Sequence, residues 1–400
     1  MTLTTTETQF LTLVRAAVTG TECPVPDADW HTIFHLAAQQ KLLPLVFSAA
    51  RRMPVQGETA ALFAAVRQQA VRQVLGQSVR SAEFAALYQQ LRAAGLHPMV
   101  VKGQLCSRLY PLPDHRISAD DDLLLPDREF SACHRLLLEH GLRTACPDGD
   151  LAAADEVTYT KDGSPLYLEV HRNLFPTDEA LHGPLNSFFR DIPPVETDGF
   201  LTLPPHEHLL YLLLHAWKHF ISRGVGLRQF CDIGLWAGTH FREIDWPLLY
   251  RQCESVHAVL FAGTVFRIAR ETLSLMPEPP APWDCAADPV PMLRDTLCGG
   301  IYGSNSYTRL HSSTVTLNAV AASRTGRKSS LLGSVFPPRT YLESRYPYLK
   351  RRPYLLPAAW VQRLCHYAAE KQSGGDNSTS GSVRLARERI ALMKQYGIMD

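Results

Sequence analysis

Residues 118–126 read Ser-Ala-Asp-Asp-Asp-Leu-Leu-Leu-Pro, three carboxylates running directly into three leucines. Of everything in the chain, this stretch constrains the fold most. An unbroken apolar run belongs to a strand buried on both faces, at the centre of a sheet. The aspartates then stand at the end of that strand, facing a cleft. Side chains alternate along a strand, so Asp120 and Asp122 share one face and Asp121 takes the other. Two carboxylates that close repel each other and are tolerated when a divalent cation lies between them. Oxygen ligands at short range suit Mg2+, which keeps waters and completes its shell with substrate phosphates. The ordinary alternative for three acids is a solvated turn or a helix N-cap cluster, and the leucines weigh against it. Asp121 leaves two further options, a strand frayed at that point or a shifted register in which Asp121 is the ligand.

A third carboxylate lies in Leu-Tyr-Leu-Glu-Val-His, 166–171. Tyr167, Glu169 and His171 share one face of this strand, and Leu166, Leu168 and Val170 the other. A charged residue in mid-strand is costly unless paired or metal-bound, so Glu169 is a candidate to join Asp120 and Asp122. The alternative is the wet face of an edge strand. With Glu-Val-Thr-Tyr-Thr at 156–160 and Asp-Gly at 162–163, the segment predicts a hairpin.

Around this region the pattern is helical. Residues 1–94 carry apolar residues at helical spacing in four runs, the last ending at Gly95. A short strand at 97–103 closes on Lys102-Gly103, and helices are predicted at 104–110 and at 127–141, the latter with Asp127 as N-cap. Helices return from 205 and run to about 276. The expected organisation is a helical region at 1–94, a mixed α/β core at 95–200, a helical domain at 201–300, and an irregular and helical region at 301–400 with a flexible linker at 372–382. This is an α+β chain with a small mixed sheet flanked by helical lobes on both sides.

The stretch 100–125, from Val-Val-Lys-Gly to Asp-Asp-Asp-Leu-Leu-Leu, followed by Leu-Tyr-Leu-Glu-Val-His-Arg-Asn-Leu-Phe, resembles an uncharacterised family of bacterial nucleotidyltransferases related to the polymerase beta superfamily. The family pattern falls on Lys102, Gly103, Tyr110, Pro111, Arg116, Asp120, Asp122, Glu169 and His171, and the similarity extends over roughly residues 90–365. The resemblance implies nucleotidyl transfer assisted by two Mg2+ ions, held by Asp120, Asp122 and Glu169, with a nucleoside triphosphate (NTP, ATP among the candidates) as substrate. It implies nucleotide contacts from Lys102, Gly103, Arg116 and His171, and from His215, Lys218 and His219 in the helical segment His-Ala-Trp-Lys-His. Two departures stand out. Superfamily members usually follow the glycine with serine, whereas Gln104 stands here, and Asp121 replaces the usual apolar residue between the acids.

Several of these residues have plain alternatives. Lys102 is either a phosphate-reaching cation or a lysine snorkelling to the surface, and Arg116 either a nucleotide contact or half of a loop salt bridge. His215 and His219, one helical turn apart, have zinc-ligand spacing but no evident third ligand. They otherwise line the cleft with Lys218, or are ordinary half-buried histidines. Arg228 and Asp232 are spaced for an intrahelical ion pair.

A formal charge of +1 gives no field for a long nucleic acid. The acceptor is then expected to be a small molecule, a peptide or a protein. No apolar run reaches membrane-spanning length. Nine scattered cysteines without a Cys-x-x-Cys pair, and no signal peptide, point to the cytoplasm. No phosphate-binding P-loop, dinucleotide loop or nucleophile elbow is present. The rival to an enzyme is an NTP-sensing or partner-binding module that keeps the fold without turnover.

Overall fold

The computed structural model describes residues 2–299 apart from 26, 147–149, 223 and 284, together with 316–317, 319–320, 339–342, 346, 348–362 and 379–399. Four N-terminal helices come first: α1 (Thr5–Thr19), α2 (Trp30–Gln39), α3 (Leu43–Ala50) and the long α4 (Gly57–Ala93). Their ends follow from local chemistry. Thr4 and Glu7 form a reciprocal capping box, Gly20 closes α1 in the left-handed conformation, and Asp29 caps α2.

The sheet comprises β1 (Met99–Val100), β2 (Asp121–Leu124), β3 (Glu156–Thr160), β4 (Tyr167–His171), β5 (Val195–Thr197) and β6 (Phe200–Thr202), in the order β3-β4-β2-β1-β6-β5. The α+β reading is correct, and the leucine-rich strand is central: β2 lies between β1, antiparallel, and β4, parallel. Leu123, Leu124 and Leu125 are all buried. Between β1 and β2 lies the short α5 (Gln104–Arg108), and α6 (Asp127–Glu139) follows β2. The expected cap of α6 is corrected. Pro126 occupies the N-cap and Asp127 is the first helical residue, without a capping hydrogen bond.

Helices α7 (Pro205–Ile221), α8 (Leu227–Thr239), α9 (Trp246–Ser255), α10 (Val259–Arg267) and α11 (Pro289–Gly299) complete the main body. Buried side chains from α1–α4, the sheet and α7–α11 form one contiguous cluster. A C-terminal helix, Thr379–Gln395, joins it through Met393 and Tyr396, and the Tyr396 ring packs on Phe220 at 5.7 Å. The linker expected at 372–382 lies outside the described residues as far as 378; from Thr379 the chain is helical.

One buried histidine ties the helices to the strand that leads into the acid cleft. The Thr202 hydroxyl donates to the Val100 carbonyl at 2.6 Å and meets His208 Nδ1 of α7 at 3.1 Å. The His208 ring lies 3.9 Å from that of Trp236 in α8. Full burial pushes the His208 pKa down to about 3. Folded, it stays neutral at pH values where the unfolded chain takes up a proton, so its contribution is lost as pH falls below 6.5 toward 3. Between pH 7 and pH 5 the loss through this residue should be about 2 kcal/mol. Urea unfolding of wild type and His208→Gln at both pH values checks this. The stability gap between them should narrow by about that amount at pH 5, and a constant gap would refute it.

Candidate active site

The three aspartates part company as alternation requires. Asp121 is the first residue of β2 and is not frayed. Its carboxylate is 1% exposed and takes 2.6 Å and 3.0 Å hydrogen bonds from Arg80 Nε and Gln104 Nε2. Arg80, in the middle of α4, also donates to the carbonyls of Ala119 at 2.7 Å, Tyr167 at 2.9 Å and Ser118 at 3.3 Å. Burial pushes the Asp121 pKa up, and the two donors oppose it. The buried face accepts this acid because a guanidinium from another helix is fixed opposite it.

Asp120 and Asp122 face the other way and share a cation. Lys102 Nζ lies 3.2 Å from Asp120 Oδ2 and 3.0 Å from Asp122 Oδ1. Burial works against the Asp120 carboxylate, but Lys102 and Arg228 outweigh it and hold its pKa well below the usual range. Gly103 permits this close packing. It has a φ of +52°, and a β-carbon there would stand 3.2 Å from Asp121 Oδ1.

The parallel ladder sets Asp122 beside Glu169 and Leu124 beside His171. Asp122, Glu169 and His171 each offer a ligand atom, all within 4.8 Å of one another. His171 Nε2 is 3.1 Å from Asp122 Oδ1 and 3.9 Å from Glu169 Oε2. Asp122 Oδ2 is buried with no hydrogen-bond partner among the described residues. Burial, then the charge of Asp122, pushes the Glu169 pKa up to about 8. An orphaned buried carboxylate oxygen beside a carboxyl that resists ionisation is what a cation would relieve. The donor set therefore fits a divalent metal. Glu156, opposite His171 across the β3–β4 ladder, adds a fourth carboxylate 3.6 Å from His171 Nδ1. Sequence reading passed over it, although the hairpin register sets it on this face.

The structure places the remaining candidates as follows. Arg116 is buried and bound to Asp232 through Nε at 2.8 Å and Nη2 at 2.6 Å, while Tyr110 donates to the same carboxylate at 2.7 Å. The expected Arg228–Asp232 pair does not form. Asp232 is saturated from across the fold, and Arg228 instead donates to the Ile117 carbonyl. His215 and His219 meet through their Nε2 atoms at 3.0 Å. Burial, then the charges of Lys102 and His219, drives the His215 pKa well down. Lys218 Nζ lies 6.0 Å over the Phe175 ring, and burial lowers its pKa. A cavity lined by Lys102, Asp120, Arg116, Asp232, Arg228 and His215 opens beside the acids.

A family described as an uncharacterised nucleotidyltransferase has a model that matches residues 26–274. The chain belongs to that family. All the residues just described fall inside the span of the nucleotidyltransferase match, Arg80 and Arg228 included. No curated protein and no solved structure matches the chain.

Breaking one half of a buried ion pair leaves an uncompensated charge. Arg80→Met should therefore cost about 3–5 kcal/mol in urea unfolding. Arg80→Met combined with Asp121→Leu should cost much less than Arg80→Met alone. Equal losses would mean that Arg80 matters for its carbonyl contacts rather than for Asp121.

Proposed function

We propose that the chain transfers a nucleoside monophosphate from an NTP to a hydroxyl on a small molecule, a peptide or a protein. The observation that carries this reading is the pairing of Asp122 with Glu169, with His171 completing a cluster beside a cavity rich in cations. Asp120, Asp122 and Glu169 are the proposed holders of Mg2+, two ions with nucleotide bound. Such ions would lower the pKa of the acceptor hydroxyl and neutralise charge on the phosphates as pyrophosphate leaves. Lys102 neutralises Asp120 and Asp122 in the free protein and is placed to turn toward the phosphates once cations take over that task. His171 is hydrogen-bonded to Asp122 and steers its carboxylate.

The formal charge of +1 argues against a long nucleic acid as acceptor. Tight duplex-DNA binding with a steep salt dependence would reopen that question. Among the described residues no helix is long and apolar enough to cross a membrane, and no disulfide forms. The cytoplasm is the compartment proposed.

A second reading is a nucleotide sensor that keeps the fold without turnover. It draws on the turn at Gly103, where the side chain of Gln104 is spent on Asp121.

Incubation with Mg2+ and each labelled triphosphate, followed by assay of pyrophosphate and of label on protein or acceptor, separates the two readings. Only the enzyme turns over. Both predict a rise in melting temperature with metal and triphosphate together, since a ligand at a hundredfold excess over its Kd stabilises by about 2.7 kcal/mol. Asp120→Asn, Asp122→Asn and Glu169→Gln should lose most of that rise. Asp121→Asn should be less stable yet keep it. If no triphosphate shifts wild type, the acids are not a nucleotide site and both readings fall.

The donor set also ranks the metals. An imidazole nitrogen suits Mn2+ better than Mg2+. Mn2+ alone should shift the melting temperature more than Mg2+ does, and His171→Ala should erase the difference. Equal shifts in wild type would remove His171 from the ligands.

A further inference from the structure

Arg228 is the second residue of α8, 6% exposed, and it lines the cavity beside the acids. A guanidinium carries five N–H donors. One nitrogen of Arg228, Nη1, donates to the Ile117 carbonyl, and Nε is buried with no acceptor among the described residues. The acid one turn along the same helix, Asp232, is fully engaged by Arg116 and Tyr110. A buried cation without its own counter-charge is costly. Asp120 feels the charge of Arg228, but its ion pair is with Lys102.

A second cation follows in the chain a residue bound to the same helix end. Gln40 Oε1 accepts from the Leu227 amide, the first of α8, at 2.9 Å, while Gln40 Nε2 donates to the Thr296 carbonyl at 2.8 Å. The next residue, Lys41, follows in the left-handed region at a φ of 53°. Burial lowers its pKa first, then the charge of Arg228, while Asp120 raises it. The Leu227 amide is thus occupied, and what this helix end offers an anion is chiefly its dipole beside the Arg228 guanidinium. At the turn before α5 the Gln104 side chain donates to the buried Asp121 carboxylate rather than into the cavity.

We infer that Arg228, Lys41 and the N-terminal end of α8 form a polyphosphate site that takes the β- and γ-phosphates of the nucleotide. This rests on the nucleotidyl-transfer reading of the acid face. The α-phosphate then lies toward Asp120, Asp122 and Glu169, with Lys102 between the two ends of the cavity.

Calorimetric titration of the full chain with inorganic tripolyphosphate in EDTA tests the site without metal or nucleoside. Wild type should bind. Arg228→Gln should weaken binding by about tenfold or more, and Arg228→Lys and Lys41→Gln by less. Asp122→Asn and Glu169→Gln should bind as well as wild type or better. No binding by wild type, or unchanged affinity in Arg228→Gln, overturns the site. Should Arg228→Gln fail to fold, unchanged affinity in both Arg228→Lys and Lys41→Gln overturns it. The two readings fail separately. Arg228-dependent tripolyphosphate binding without any nucleotide transfer by wild type supports the site and defeats the transfer reading. Transfer by Arg228→Gln with an unchanged KM for nucleotide defeats the site alone.

Discussion

The acid cleft depends on the ion pair between Arg80 and Asp121. Three adjacent carboxylates cannot all face one cavity, and the pleat sends the middle one into the body of the protein. There it would be intolerable without a partner, since an ionised carboxylate out of water costs several kcal/mol. Arg80 meets it at 2.6 Å and at the same time gathers three carbonyls from the loop before β2 and the start of β4. One side chain thus neutralises the buried acid, shapes the loop that presents Asp120, and ties the two strands that carry Asp122 and Glu169.

The four aspartates of this region are each matched, and in different ways. Asp121 has Arg80, Asp232 has Arg116, and Asp120 shares Lys102 with Asp122. The first two pairs are buried and fixed by several hydrogen bonds. The third is a single flexible ammonium spanning two carboxylates. Burial, then the charge of Asp122, raises the pKa of Glu169 against the pull of Lys102. The electrostatics therefore divide into a rigid frame on one side of β2 and an adjustable, incompletely neutralised face on the other.

Much of this was legible in the sequence. The leucine run placed β2 at the centre of the sheet, and alternation sorted Asp121 from its neighbours. The partners were not legible, because Arg80 lies 41 residues before Asp121 and Arg116 pairs with an acid 116 residues away. Nothing in local spacing announces such contacts. Arg228 and Asp232 were misread for the same reason: their helical spacing permits a pair, but each found a partner elsewhere in the fold. The β5–β6 hairpin was overlooked although Asp198-Gly199 marks it. Both residues have positive φ, as a two-residue type I′ turn demands. Its strands have three residues each, too few for alternation to register. Its position matters, because β6 pairs with β1 just before Lys102.

Helix α4 runs unbroken for 37 residues, which at 1.5 Å per residue makes a rod of about 55 Å. Near its start Phe63 packs among the rings of Trp30 and Phe34. Further along, Gln77 accepts from the Ser118 amide, Arg80 holds Asp121, and Tyr88 bonds the Pro98 carbonyl and the Leu201 amide. A rod of this kind transmits displacement instead of absorbing it. Arg80 joins this rod to the carbonyls of Ser118 and Ala119, immediately before Asp120. The N-terminal helices and the loop that presents Asp120 are thereby fastened to one continuous helix.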